Sequence, residues 1–600
     1  MRVIKTIFNK INIGKRFHLT AGTEERKDFM LKFKISGLLL VMTIILSACN
    51  GAGSGGDSYP VRYSKAEDKA ISGGTVTYAY TAPFQGLFDP AFFEGEDDSN
   101  VLDFITEAMF TVKDDLSTVP NIASWKESDD HTVFTFNIRP GVRWHNGDEL
   151  TVEDWKFALE TIASPDYTGS RYYSVEMIKG VEAYHRGETD QLSGVKVIDP
   201  YTLRITVNSA RVNTIDNLWP YPMNKKYFSG VAVKDMADSD QVRKRPIGIG
   251  PFEVKEIQPG QLVRMQRFDN YYKGKALLDG INYKVVKESE ITGLLETGGI
   301  DIGTAPRETF AALKELDNIS LMQSPELSYE YIGFKFGHWD EAAQRNVMDN
   351  PKFTDKRLRK AMYYALDREG IINQYSYGLG KLIETPIPSS SWAKIADAEI
   401  DTYPYSPEKA EVLLDKAGYL DVDGDGMRED PKGQKLVIHY DAMSGSSTTE
   451  ERTQAILQNW RDVGLDVRLN GGALKELNLF YEAVEKDDPT VELFNGVWGL
   501  ASDPDPSGLW RATDLWNYSR WSSEQSEELI REGVGNKAYD REYRKQIYYE
   551  WQKLINEEVP MIFFAERVNI TAVNKRLQGV HVDSMSNIIE PDKWWIKEMD

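Results

Sequence analysis

The residues that could do chemistry are few. Six histidines (His131, His145, His185, His338, His439 and His581) stand after position 48, and none is spaced from another as zinc ligands are. There is no Gly-x-Ser-x-Gly turn, and Cys49 is the only cysteine, so Ser or Cys acyl transfer lacks its parts. One cysteine also excludes an internal disulfide and a thiolate cluster. With 93 Asp+Glu a glycosidase-type carboxylate pair stays open on counting alone. Asp421, Asp423, Asp425 and Gly426 match the start of a calcium loop, but its twelfth position, where a bidentate Glu belongs, is Lys432. That motif therefore reads either as a cation loop or as an Asp/Gly turn between a helix and a strand. No P-loop is present. Gly51, Gly53 and Gly56 satisfy Gly-x-Gly-x-x-Gly with no strand before and no helix after, a chance match. The balance points to a protein that is not an enzyme and needs no metal or cofactor.

Charge removes another class. Lys+Arg number 71, the net charge is -22, and no basic run interrupts the body, so nucleic-acid binding is excluded. Aromatic residues make up 11% of the 600, enough for sizeable cores and an aromatic cleft.

Cys49 has a specific context. Lys32 and Lys34 precede the apolar run Gly37 to Leu46, which is too short to span a bilayer and ends in Leu46, Ser47, Ala48 and Cys49. This pattern resembles the bacterial lipoprotein signal. It implies removal of residues 1–48, lipidation (palmitate) of Cys49, and a flexible tether over 49–69 that begins with the Gly/Ser-rich Asn50 to Ser58. The expected location is the extracytoplasmic face of the cell membrane. Met1 and Met30 both stand as starts, with the purine-codon residues Glu24 to Lys27 two codons before Met30. Nine basic and three acidic residues precede Cys49, so the 552 residues from it onward carry a net charge of -28.

The body alternates strand and helix signals. Thr75 to Tyr80 and Val133 to Ile138 alternate like half-buried strands. Thr151 caps a helix with Asp154 three residues on. Leu358, Ala361, Met362, Ala365 and Leu366 form one face of a helix opened by Thr354. Ser406 and Pro407 open a helix that Gly418 closes, and another from Thr449 to Val463 stops at Gly464 and feeds the strand Leu465 to Leu469.

These segments together resemble the family 5 extracellular solute-binding proteins, the oligopeptide- and dipeptide-binding components of ABC importers. The most specific stretch is NIASWKESDDHTVFTFNIRPGVRWHNGDELTVEDW, Asn121 to Trp155. Others are PIGIGPF (Pro246 to Phe252), LLETGGIDIG (Leu294 to Gly303), YIGF (Tyr331 to Phe334), DKRLRKAMYYALDR (Asp355 to Arg368) and DVDGDG (Asp421 to Gly426). SDPDPSGLW (Ser502 to Trp510) and EYRKQIYYEWQKLINEEVP (Glu542 to Pro560) are similar to the long-peptide branch.

The resemblance implies an α/β, two-lobed periplasmic-binding-protein-like fold of type II, cluster C, with an inserted domain. Lobe I would comprise about 70–106, 246–328 and 561–600, the extra domain 107–245, and lobe II 329–560. It implies oligopeptide binding by a monomer, and delivery to permease subunits with separate ATPase subunits. Peptide-signal (pheromone) sensing, or an oligosaccharide on the same fold, remains the alternative. Pairing segments for an extended peptide are implied at Glu94, Gly95 and Glu96, after Asp89 and Pro90, and at Val497, Trp498 and Gly499. Members that anchor the peptide ammonium carry an Asp three residues after that Trp; here the position is Ala501, and Asp503 and Asp505 are the nearby offset substitutes. A peptide could then extend in both directions. Tyr167, Arg171, Tyr172 and Tyr173 read equally as cleft lining and as a surface loop.

Overall fold

The computed structural model describes residues 70–445, 448–583, 585 and 587–597. Cys49, the leader and the tether lie outside them.

A single sheet runs through both lobes, and one strand explains how. Met561–Asn574 opens with the apolar run Met561 to Ala565, alternates polar and apolar residues from Arg567 to Ala572, and is buried nearly throughout. Its first half pairs antiparallel with Ser328–Phe334, and its second half with Ile302–Thr304 and Ile319–Pro325. In the first lobe Thr75–Tyr80 lies between Gly280–Val285 and Ile302–Thr304, parallel to both, and Leu262–Arg267 and Phe252–Gln258 extend the sheet antiparallel. In the second lobe Ser328–Phe334 is followed outward by Leu493–Gly499, Val437–Asp441 and Asp466–Leu469. This is the two-lobed α/β fold that the resemblance implies.

Packing follows the same division. Val76, Tyr78, Phe252, Ile281, Tyr283 and Trp594 share one core, while Phe334, Leu358, Met362, Trp460, Leu493 and Trp551 share another. A third core lies under a separate four-stranded sheet of Ala123–Glu127, Val133–Ile138, Thr202–Thr206 and Val195–Asp199, against the helix Val152–Ala163. Met561 to Ala565 belong to the second-lobe core, whereas Val568, Ile570 and Ala572 pack in a first-lobe cluster. By packing, the boundary placed at 561 falls inside the strand, near Glu566.

The lobes are thus connected by two adjacent chain crossings, at Glu326–Leu327 and at Glu566–Arg567. Glu326 N–H donates to the Arg567 carbonyl at 2.8 Å. Arg567 Nη1 pairs with Glu326 at 3.4 Å, and Arg452 Nη2 pairs with Glu330 at 2.6 Å. A register shift between Glu330 and Tyr331, opposite Phe564, breaks the ladder beside the crossing. Glu326–Leu327 lies between two strands, the kind of position that absorbs backbone rotation, whereas Glu566–Arg567 is inside a strand and pairs with Gly380–Lys381.

Local signals explain the elements. Ser406 Oγ accepts the Lys409 N–H at 3.3 Å and Gly418 takes φ +89°, so Pro407–Ala417 is bounded by its own caps. Thr151 N–H donates to Asp154 Oδ2 at 3.0 Å. The helix expected from Thr354 differs: Asp355 accepts the Arg357 N–H and caps Lys356–Tyr364. Ala365 and Leu366 are buried beyond its end, because Asp367 caps a second helix, Arg368–Tyr375. No helix among the described residues is long and apolar enough to cross a membrane.

Candidate ligand-binding site

The strand Leu493–Gly499 offers a backbone. It pairs with Ser328–Phe334 along its whole length, Leu493 opposite Phe334 and Gly499 opposite Ser328. On its other side Val437–Asp441 reaches only Leu493 and Phe494. From Asn495 to Gly499 no described strand pairs that edge, so peptide groups there can take an added strand. Gly496 is required by packing, since a Cβ would come within 2.6 Å of the Tyr331 ring, whereas at Gly499 a Cβ would meet nothing within 4 Å. Trp498 is partly buried and stacks on Tyr518, centroids 5.3 Å apart. Tyr518 Oη in turn donates to Glu485 Oε1 at 2.7 Å.

The loop after this strand is held by its own polar groups. Asp514 Oδ2 accepts the N–H of Gly508 at 2.7 Å, Trp510 at 3.2 Å and Arg511 at 2.8 Å. Asp503 receives both Arg544 Nη atoms at 2.7 Å, with the two side chains 7% and 6% exposed. Asp505 Oδ1 accepts Ser507 N–H at 3.0 Å and Ser507 Oγ at 2.7 Å, and its Oδ2 accepts from Asn213 Nδ2 at 3.4 Å. Burial pushes the Asp505 carboxyl above the usual range. Ala501 is exposed. Of the two candidate substitutes for an ammonium clamp, Asp503 is paired with Arg544, and Asp505 accepts from its own turn and from Asn213.

The other expected segment is positioned differently. Asp89 Oδ1 accepts the Ala91 N–H at 2.9 Å, and burial pushes its carboxyl up to about 7. Tyr167 Oη donates to the Ala91 carbonyl, and Arg171 Nη2 donates to the Phe93 carbonyl at 2.9 Å with its guanidinium 4.4 Å from the Phe93 ring. Tyr167 and Arg171 thus brace this loop, Tyr172 packs on His185, and Tyr173 is exposed. Glu94 is exposed and Gly95 is extended, at φ -104° and ψ 156°. Glu96 does not continue the extension: it is the first residue of the helix Glu96–Ile105, whose acidic start Glu96-Asp97-Asp98 suits the positive end of the helix dipole. Of these three residues, Gly95 has extended backbone and Glu96 is helical.

Trp498, Gly499, Asp503 and Asp505 come together around one cavity of about 300 Å³. Val497, Glu94, Gly95 and Glu96 are not in its lining. Leu116, the segment Pro386 to Pro388, Ser391 and Trp516 are among the other residues that line it. Nothing in their local sequence marks them, because each reaches the cavity through tertiary packing.

Away from the cleft, ligand atoms of Asp421, Asp423 and Glu429 lie within 4.8 Å of one another and could hold a cation. The loop also has the hydrogen bonds of an Asp/Gly turn, with Asp421 accepting the N–H of Gly424 at 2.8 Å and of Gly426 at 3.1 Å.

A family model, "Bacterial extracellular solute-binding proteins, family 5 Middle", matches residues 118–519. The chain belongs to this family of solute-binding proteins, which bind and do not catalyse. The oligopeptide-binding protein AppA of Bacillus subtilis (strain 168) is 26% identical over 583 residues, 96% of this chain and 99% of AppA. The solved structure of Bacillus subtilis AppA in complex with a nonapeptide has a TM-score of 0.62 and 24% identity, covering 88% of this chain and all of that one, and shares the fold. Heme-binding protein A of Haemophilus influenzae is 25% identical over 579 residues, 92% of this chain and 96% of its own.

Proposed function

We propose that this protein captures oligopeptides between its two lobes and presents them to the permease of an ABC transporter, whose ATPase subunits are separate chains. It acts as a monomer held at the extracytoplasmic face of the cell membrane by lipid on Cys49. The observation that carries the reading is the unpaired edge Asn495–Gly499 beside an apolar cavity, next to crossings on which one lobe can rotate. Peptides of varied sequence share only their backbone, and an added strand engages that backbone whatever the side chains. The names of relatives support the same solute, AppA being oligopeptide-binding. A ligand that touches both lobes only when they close shifts the population toward the closed form, the state a permease can recognise.

Native mass spectrometry of the purified protein, followed by calorimetric titration with synthetic octapeptides, tests this. The expected result is retained or added peptide at one equivalent. A copurified heme or oligosaccharide, with no response to peptides, would overturn it. For the anchor, a lipid mass on Cys49 is expected in membrane extracts, and a Cys49→Ser chain released from the membrane.

A further inference from the structure

The hairpin Phe110–Val112 and Thr118–Pro120 projects from the core of the four-stranded sheet and ends at Leu116. Its tip is closed by Lys113 N–H to Ser117 O at 3.0 Å and by Leu116 N–H to Lys113 O at 2.8 Å. Leu116 has φ +64°, a region that glycine enters freely and a branched L-residue enters at a cost. It is nonetheless 2% exposed, and it lines the cavity built by the second lobe. The tip is docked there by polar contacts on both sides: Trp392 N–H donates to the Asp115 carbonyl at 3.1 Å, and Arg541 Nη2 pairs with Asp115 Oδ2 at 3.3 Å. Nearby, Asn213 of the same sheet domain reaches Asp505.

The cavity walls are apolar. Besides Leu116 they include Ile387, Trp498, Pro504, Trp510 and Trp516, the last 58% exposed. The two carboxylates in the lining have protein partners, Asp503 in Arg544 and Asp505 in Ser507 and Asn213. The cavity adjoins the open strand edge through Trp498 and Gly499.

We infer that Leu116 is a specificity-determining residue carried across the cleft: it completes a second-lobe subsite for one bulky apolar side chain of a bound peptide. The sheet domain then takes part in ligand selection, and closure that seats the Asp115–Leu116 tip finishes the subsite. This rests on the peptide reading above. A strained backbone held where a side chain must point is the observation that leads to this role.

The test uses an alanine-based octapeptide and eight variants carrying a single Phe at each position, titrated calorimetrically into the full-length protein. The wild type is expected to bind at least one Phe variant about 10-fold tighter than the all-alanine parent, the scale of filling an apolar pocket. Leu116→Gly suits the backbone at φ +64°, which offsets part of the cost of removing a buried side chain, and it is expected to bring that ratio close to one. Trp516→Ala, on the exposed wall, is expected to reduce it as well. A wild type that binds every peptide with no Phe preference, or a ratio undiminished in Leu116→Gly, overturns the subsite while leaving peptide binding intact. Failure of all nine peptides to bind overturns both.

Discussion

Replacing Arg544 with Met should be among the most costly single changes in the second lobe. The side chain lies on the helix Arg541–Glu558 and makes two 2.7 Å hydrogen bonds to Asp503, one of 2.9 Å from Nε to the Gly533 carbonyl, and one of 3.1 Å to Tyr548 Oη. Met retains most of the hydrocarbon, so the loss is electrostatic. At a charge separation of about 4 Å and an effective dielectric constant of about 20, the attraction is worth about 4 kcal/mol. Asp503 would remain buried with Asp216 and Asp505 nearby, both of whose pKa values are raised by burial first and by Asp503 as well. Breaking one side of such a pair costs about 3–5 kcal/mol, which we expect for Arg544→Met. The double variant Asp503→Asn, Arg544→Met removes both charges and should regain at least half of that, a coupling of about 2 kcal/mol or more. Urea unfolding followed by tryptophan fluorescence, comparing midpoints at equal slope, measures both. A single variant within about 1 kcal/mol of wild type, or singles that simply add in the double, would refute the reasoning.

Asp89, pushed up to about 7 by burial, holds a proton in the folded chain that the unfolded chain releases near its ordinary value of about 4. The sign follows: stability falls as pH rises from about 4 to about 7 and levels off above, and Asp89→Asn should flatten that interval in a pH series of thermal melts. Gly496→Ala should cost about 1–3 kcal/mol through collision with Tyr331, whereas Gly499→Ala, with open space around its Cβ, should cost less than about 0.5 kcal/mol in the same denaturation assay. Because Ala501 occupies the clamp position and Asp503 is committed to Arg544, N-acetylation of a bound peptide should weaken it by less than about 2 kcal/mol in calorimetry.

Features decided within a few residues were legible in the sequence. Val133–Ile138 follows its two-residue alternation, Thr75–Tyr80 is a strand as expected but buries Tyr78 and Ala79 in succession, and Pro407–Ala417 carries both of its caps in the chain. At Glu96 the local signal decides the conformation: three acidic residues after Gly95 are a helix start, a preference that prevails over the extended conformation implied for a pairing segment. The part of the candidate site on Leu493–Gly499 came from likeness to a family, and its open edge depends on where a neighbouring strand stops, which no local pattern encodes. Leu116 was invisible for a stronger reason, since a leucine at a left-handed turn position contradicts local preference and is explained only by what it packs against.

Strand addition at the second-lobe edge can be measured directly by amide hydrogen exchange across Asn495–Gly499, with and without a saturating octapeptide. Ligand binding is predicted to slow exchange of the amides facing the open edge by about 10-fold or more, equivalent to about 1.4 kcal/mol of added protection. A peptide that binds, by calorimetry on the same sample, yet leaves exchange across Asn495–Gly499 unchanged would contradict it.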